Sequence, residues 1–264
     1  MSTITTIDTR LIGLAEFNSI MKKIERISAK SLSIYIVDEE HSIEVYSRNE
    51  NIKIVPGSVI KLLTLFLVFD LNISLREIVK IKKNNLIVGS GYNLFENDLI
   101  TINDLLKNML FKSSNTSAEV LKEVIEEKTK ISYEEHAIKL INKLGMKLTN
   151  ILNSHGLYKN KQYTTVDDLL KLVVNMLKNK EIESFLFYAH QSIVVQRNKN
   201  YINIDFETNE KIFIKTGTLF PNVFNSIQIV KIRNNYLIAC LGYSKSDHSR
   251  LIDQEIINDL MGVI

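Results

Sequence analysis

From Val59 to Phe69 every residue is apolar except Lys61 and Thr64, and such a run reads as a helix buried in the interior of a fold. Pro56-Gly57 breaks the extended segment before it, so the helix is expected to begin at about Ser58. Ser58 and Lys61 then lie three residues apart on one helix face. A serine hydroxyl is a poor nucleophile near neutral pH and needs a base within hydrogen-bond reach, a role open to Lys61. At a helix N-terminus the aligned backbone N–H groups also favour developing negative charge, which suits the oxyanion of acyl transfer. Spacing alone does not make chemistry: Ser19-Ile20-Met21-Lys22 has the same interval and reads as the solvated face of an amphipathic helix.

Two further segments carry compatible groups. Lys112-Ser113-Ser114-Asn115-Thr116 falls between the amphipathic stretches Thr101 to Phe111 and Ser117 to Glu127, so a short loop between two helices is expected. There Ser113 could pass a proton to a leaving nitrogen, and the Asn115 amide could orient Lys61 and a substrate carbonyl. An ordinary helix-capping cluster would have the same composition. Lys215-Thr216-Gly217-Thr218 follows the alternating run Lys211 to Ile214 and lies at the end of, or along, a strand. Gly217 would let a substrate backbone approach closely. Lys215 would add positive charge, and Thr216 and Thr218 would donate to a carboxylate and an oxyanion. A strand end with a glycine kink and a solvated lysine is the plainer alternative.

Taken in order, Ser-x-x-Lys, Ser-x-Asn and Lys-Thr-Gly resemble the penicillin-recognising serine enzymes, which include class A β-lactamases and D-alanyl-D-alanine carboxypeptidases. Gly89-Ser90-Gly91, Leu99 to Leu106, Leu144-Gly145-Met146 and Thr164 to Leu169 are similar to class A segments, whereas Asn153-Ser154-His155-Gly156-Leu157 is closer to the carboxypeptidase branch. The resemblance spans roughly residues 32 to 243. It implies a β-lactamase-like serine hydrolase with Ser58 as nucleophile, Lys61 as its base, Ser113 as proton relay and Lys215 as electrostatic partner. It also implies that Asn115, Thr216, Gly217 and Thr218 contact substrate, and that the N–H groups of Ser58 and Thr218 form an oxyanion hole. The alternatives are a carboxypeptidase-like peptidase and a penicillin-binding sensor that acylates without turnover.

One departure from that family matters. Class A enzymes carry a water-activating glutamate between the second and third segments, and residues 147 to 166 contain no Asp or Glu. A positioned general base contributes about a hundredfold to ten-thousandfold, so a β-lactam acyl-enzyme is expected to be released slowly. His155 is the replacement to consider, although a histidine before Gly156 in a loop reads first as a turn residue. No arginine is singled out as a carboxylate clamp; Arg197 and Arg233 are examples.

Lys plus Arg at 33 against Asp plus Glu at 30 is too even for a nucleic-acid partner, and the resemblance implies a small-molecule or short-peptide substrate. Cys240 stands alone in the apolar run Tyr236 to Leu241, so it reads as a core residue. The five histidines show no ligand spacing and no nucleotide fingerprint appears, so neither metal nor cofactor is expected. Charged residues interrupt positions 1 to 30, so no leader is expected there, and no segment reads as a membrane span. A cytoplasmic monomer is expected, secreted only if a leader has been removed.

The elements read as a helix (Ala15 to Ile27), a hairpin (Ser33 to Asp38 with Ile43 to Ser47), a helical block, three strands (Ile212 to Thr216, Val223 to Ile232, Tyr236 to Gly242) and a closing helix from about His248. Ser132 and Thr165 are capping residues that open two of the helices. The fold class is therefore α/β in the α+β sense, and the resemblance implies that it is β-lactamase/transpeptidase-like. A five-stranded antiparallel sheet is flanked by the terminal helices, with an inserted all-α domain. Residues 1–57 and 186–264 would form the sheet domain and 58–185 the helical one, with a ligand cleft between them.

Overall fold

The computed structural model describes residues 14–38 and 40–260; residues 1–13, part of the segment read as lacking a leader, and Glu39 of the first hairpin turn lie outside them. Helix α1 (Leu14–Glu25) precedes the hairpin β1 (Ser31–Val37) and β2 (Ser42–Arg48). The chain returns to the same sheet with β7 (Ile212–Leu219), β8 (Val223–Ile232) and β9 (Asn235–Gly242), and ends in α8 (Asp247–Leu260). The sheet order is β2-β1-β9-β8-β7, antiparallel throughout, as the five expected strands require.

Both faces of this sheet are covered, which explains why β9 reads as a continuous apolar run instead of an alternating one. Leu237, Ala239 and Leu241 face the terminal helices with Ile20, Ile24, Ile256 and Ile257. Ile238 and Cys240 face the opposite way, into the larger core shared with the helices. Cys240 is fully buried and free. Ser19 and Lys22 are both exposed on α1, as expected for a solvated face.

The apolar run becomes a 3-10 turn, Gly57–Ile60, leading into α2 (Lys61–Asp70), and residues 61 to 68 are all buried. Around α2 pack α3 (Ile102–Phe111), α4 (Asn115–Thr129), α5 (Tyr133–Lys143) and α6 (Val166–Leu177). The starts of these helices follow from capping. Thr101, Ser114, Ser132 and Thr165 each accept the backbone N–H three residues on, satisfying one of the free donors at each N-terminus.

The helical block is not purely helical. It contains two three-residue strands, β3 (Ile78–Lys80) and β4 (Leu99–Thr101). After α7 (Lys180–Leu186), these join β5 (His190–Arg197) and β6 (Asn200–Glu207) in a second sheet, ordered β3-β4-β5-β6. Strands of three residues are too short to show a period. The β5–β6 hairpin does carry a signal, since Asn198 and Lys199 both take positive φ in its two-residue turn and Ile202, Ile204 and Phe206 alternate with polar residues. Among the described residues, no helix is long and apolar enough to cross a membrane.

Candidate active site

The start of α2 meets the edge strand β7, and the contact is between backbones. A Cβ on Gly217 would lie 2.6 Å from the Pro56 carbonyl oxygen and 3.2 Å from the Ser58 nitrogen. One on Gly57, where φ is +59°, would lie 3.1 Å from the Gly217 carbonyl carbon and 3.4 Å from the Thr218 nitrogen. Only two glycines permit this approach. It brings the amides of Ser58 and Thr218 to one junction, at the half-buried Ser58 side chain.

Lys61, fully buried as the first residue of α2, turns its amine back toward that serine. Nζ lies 2.7 Å from Ser58 Oγ, and donates to Asn115 Oδ1 at 2.8 Å and to the His155 carbonyl at 2.9 Å. Burial, reinforced by the charge of Lys215, holds the amine well below the ordinary lysine range. A lysine whose charged form is disfavoured in this way has the chemistry to act as a base toward a neighbouring hydroxyl.

The loop between α3 and α4 supplies the next groups. Ser113 takes a positive φ, and its Oγ accepts from Lys215 Nζ at 2.8 Å, 102 residues away in sequence. Asn115 ties Lys61 to the segment before α3, because its Oδ1 accepts from Lys61 and its Nδ2 donates to the Val88 carbonyl at 3.1 Å. Lys215 points from β7 toward this loop and also donates to the Thr216 carbonyl at 3.3 Å. It does not simply remain charged, as its expected role requires: burial and then the nearby Arg250 pull its amine down to about 7. Near neutral pH it is divided between charged and neutral forms.

Arg250 is the group that the sequence did not single out. From α8 it reaches the far side of β7, where its Nη1 donates to Thr218 Oγ1 at 2.7 Å and to the Asn225 carbonyl at 3.4 Å, and its Nη2 pairs with Asp247. Neither arginine offered as an example is in this position. Arg197 forms a two-pronged pair with Asp98 and stacks over Phe95, and Arg233 lies in the turn between β8 and β9. Arg250 lies in an ordinary helical sequence, so no local signal marked it.

His155 meets Lys61 through its backbone. Its carbonyl accepts from Lys61, while its Nδ1 accepts the Leu157 N–H at 3.1 Å. Burial holds the imidazole down to about 4, so it is neutral and engaged in its own turn. The segment lacking acids is held by amides instead: Gln162 accepts from the Leu152 and Asn153 N–H groups, and Asn153 accepts from Gly156. Glu119 of α4 approaches it, yet it is paired with Lys122 at 3.2 Å and reached by Ser154 at 3.4 Å. Among the described residues, no group of three or more His, Cys, Asp or Glu is placed to hold a metal ion.

The sequence profile of the D-alanyl-D-alanine carboxypeptidase family matches residues 19–221. The D-alanyl-D-alanine carboxypeptidase DacF of Bacillus subtilis is 22% identical over 173 residues, which cover 62% of this chain and 43% of that protein. The chain therefore spans less than half the length of this curated relative. The fold is that of the DD-transpeptidase of Streptomyces K15, with a TM-score of 0.77 at 19% identity over 90% of this chain and 98% of the other. It is also that of a D-alanyl-D-alanine carboxypeptidase from Mycobacterium tuberculosis, with a TM-score of 0.74 at 15% identity over 89% and 90% of the two chains. These matches favour the carboxypeptidase branch over the class A β-lactamase reading.

Proposed function

The chain belongs to the D-alanyl-D-alanine carboxypeptidase family of serine peptidases, and we propose that it is a D,D-peptidase that forms an acyl-enzyme on Ser58. The observation that carries this reading is the buried, charge-suppressed amine of Lys61 at 2.7 Å from Ser58 Oγ. Neutral Lys61 takes the serine proton as Oγ attacks the carbonyl before the last residue of a peptide. The resulting oxyanion lies against the N–H groups of Ser58 and Thr218, which the Gly57–Gly217 contact brings to one junction. Ser113, bonded to Lys215, passes the proton that Lys61 took on to the departing nitrogen as the C–N bond breaks, which returns Lys61 to its neutral form. The leaving residue carries a free carboxylate, for which Lys215, Thr216, Thr218 and Arg250 supply charge and donors. Asn115 holds Lys61 and presents an amide to the acyl chain.

A β-lactam imitates such a peptide and should stop at the acyl stage, since residues 147 to 166 offer no acid to activate water. Intact-mass measurements over time, with a penicillin and separately with a peptide ending in D-alanyl-D-alanine, test this. The expected result is a penicilloyl adduct that forms fully and decays slowly, together with release of D-alanine from the peptide. No adduct and no release would overturn the proposal. Rapid, unlimited penicillin hydrolysis would restore the β-lactamase alternative.

The two depressed lysines predict the pH profile. Acylation needs Lys61 without its proton, so kcat/KM rises with pH through the value of Lys61, which lies below the ordinary lysine range. Lys215 assists a carboxylate only while protonated, so carboxylate-bearing substrates lose about tenfold as pH passes upward through about 7. A neutral ester should show the rising limb and lack the falling one. Identical profiles for the two substrates would exclude this role for Lys215.

A further inference from the structure

Lys61 at the start of α2, Lys215 on β7 and Arg250 behind β7 form a series of cations, and among the described residues one carboxylate bonds to any of them, that of Asp247. Asp247 opens α8, and its side chain is 53% exposed, whereas that of Arg250 is 7% exposed. The guanidinium thus stands between two environments. One prong donates inward to Thr218 Oγ1 on β7, the other is held from the solvent side by Asp247, and Nε is buried with no hydrogen-bond partner. A planar guanidinium binds a carboxylate best through two parallel N–H donors. With Nη2 taken by Asp247, an incoming carboxylate meets a partly occupied fork.

We propose that Asp247 is a resident counter-ion that competes with the substrate carboxylate for Arg250, and so sets how strongly the site selects substrates with a free carboxylate. This rests on the reading in which Arg250 serves the carboxylate of the leaving residue. Asp247 is a positioning residue that touches no reacting atom. It is also placed to exchange: an exposed acid three residues from its partner holds on weakly and can swing into water as a ligand arrives. A purely structural role, as a favourable acid in the first turn of α8, would leave substrate selectivity untouched.

The test compares a penicillin with its methyl ester, which lacks the carboxylate, in acylation of the full chain and of the Asp247→Asn and Asp247→Glu variants. For Asp247→Asn, the concentration giving half-maximal acylation should fall about fivefold for the free acid, the upper range for an exposed ion pair, and the acid-to-ester selectivity should rise with it. Asp247→Glu should return the selectivity toward that of the parent. Equal shifts for acid and ester, or no shift with either, would overturn the proposal while leaving the carboxylate reading of Arg250 in place. If the parent protein itself does not discriminate acid from ester, the carboxylate reading fails and the counter-ion role fails with it.

Discussion

With Ser58 replaced by alanine, the protein is expected to stay at its unmodified mass however long it is held with a penicillin or an activated ester. Oγ is the only atom of this side chain that can form the acyl bond, and it lies 2.7 Å from the one buried amine that begins α2. Ser113 also has a depressed lysine beside it, Lys215 at 2.8 Å, but the backbone contact of Gly57 with Gly217 lies at Ser58; Ser19 and Lys22, at the same spacing as Ser58 and Lys61, are exposed on α1. Loss of the nucleophile in serine hydrolases costs on the order of a millionfold in rate, so the variant should be silent within any practical assay. The fold should be indifferent, because one half-buried hydroxyl is worth about 1 kcal/mol at most. Unchanged melting with no adduct is the expected pair of results. An adduct that forms at an undiminished rate on Ser58→Ala would assign the chemistry to another residue.

Replacing Lys61 with methionine should separate chemistry from stability. Without its base, acylation of Ser58 should fall about a hundredfold to ten-thousandfold. The effect on folding has two opposing parts. Asn115 Oδ1 and the His155 carbonyl lose their donor, at about 1–3 kcal/mol each, while the cost of burying an amine, about 1–4 kcal/mol, disappears. The melting temperature at neutral pH should therefore stay within several degrees. The pH dependence gives the sign. Because the folded chain resists protonating Lys61, the unfolded chain binds an extra proton below its own value near 10.4, and the parent protein loses stability as pH falls from there toward the depressed folded value. Lys61→Met lacks this loss, so its stability relative to the parent should improve as pH is lowered across that interval. A constant difference between the two melting curves across pH would show that Lys61 is not held neutral.

Much of this molecule follows from relations between residues close in sequence. Ser58 and Lys61 are three apart, and an i,i+3 interval sets them on one face whatever surrounds the helix. The caps at Thr101, Ser114, Ser132 and Thr165 act within a single turn, and the apolar run around Cys240 announces a strand covered on both sides. Those features depend on backbone geometry and burial alone, so the five strands and the buried α2 were legible. The second sheet was less so, since β3 and β4 have three residues each and gain their identity from pairing with each other and with β5.

The neighbours in space were decided by the fold. The sequence named Ser113 and Lys215 through order and resemblance, but their 2.8 Å contact depends on β7 packing beside the α3–α4 loop. Arg250 reaches Thr218 only because α8 crosses the back of the sheet, and His155 meets Lys61 through a carbonyl that every residue possesses. The ionisation of Lys215 depends on the fold for the same reason. A lysine in a sequence is charged by default, and what draws this one down to about 7 is the low-dielectric enclosure and a second cation supplied by a distant helix. Short-range geometry is set by the covalent chain, whereas desolvation and Coulomb terms depend on distances that exist only after the chain has closed on itself.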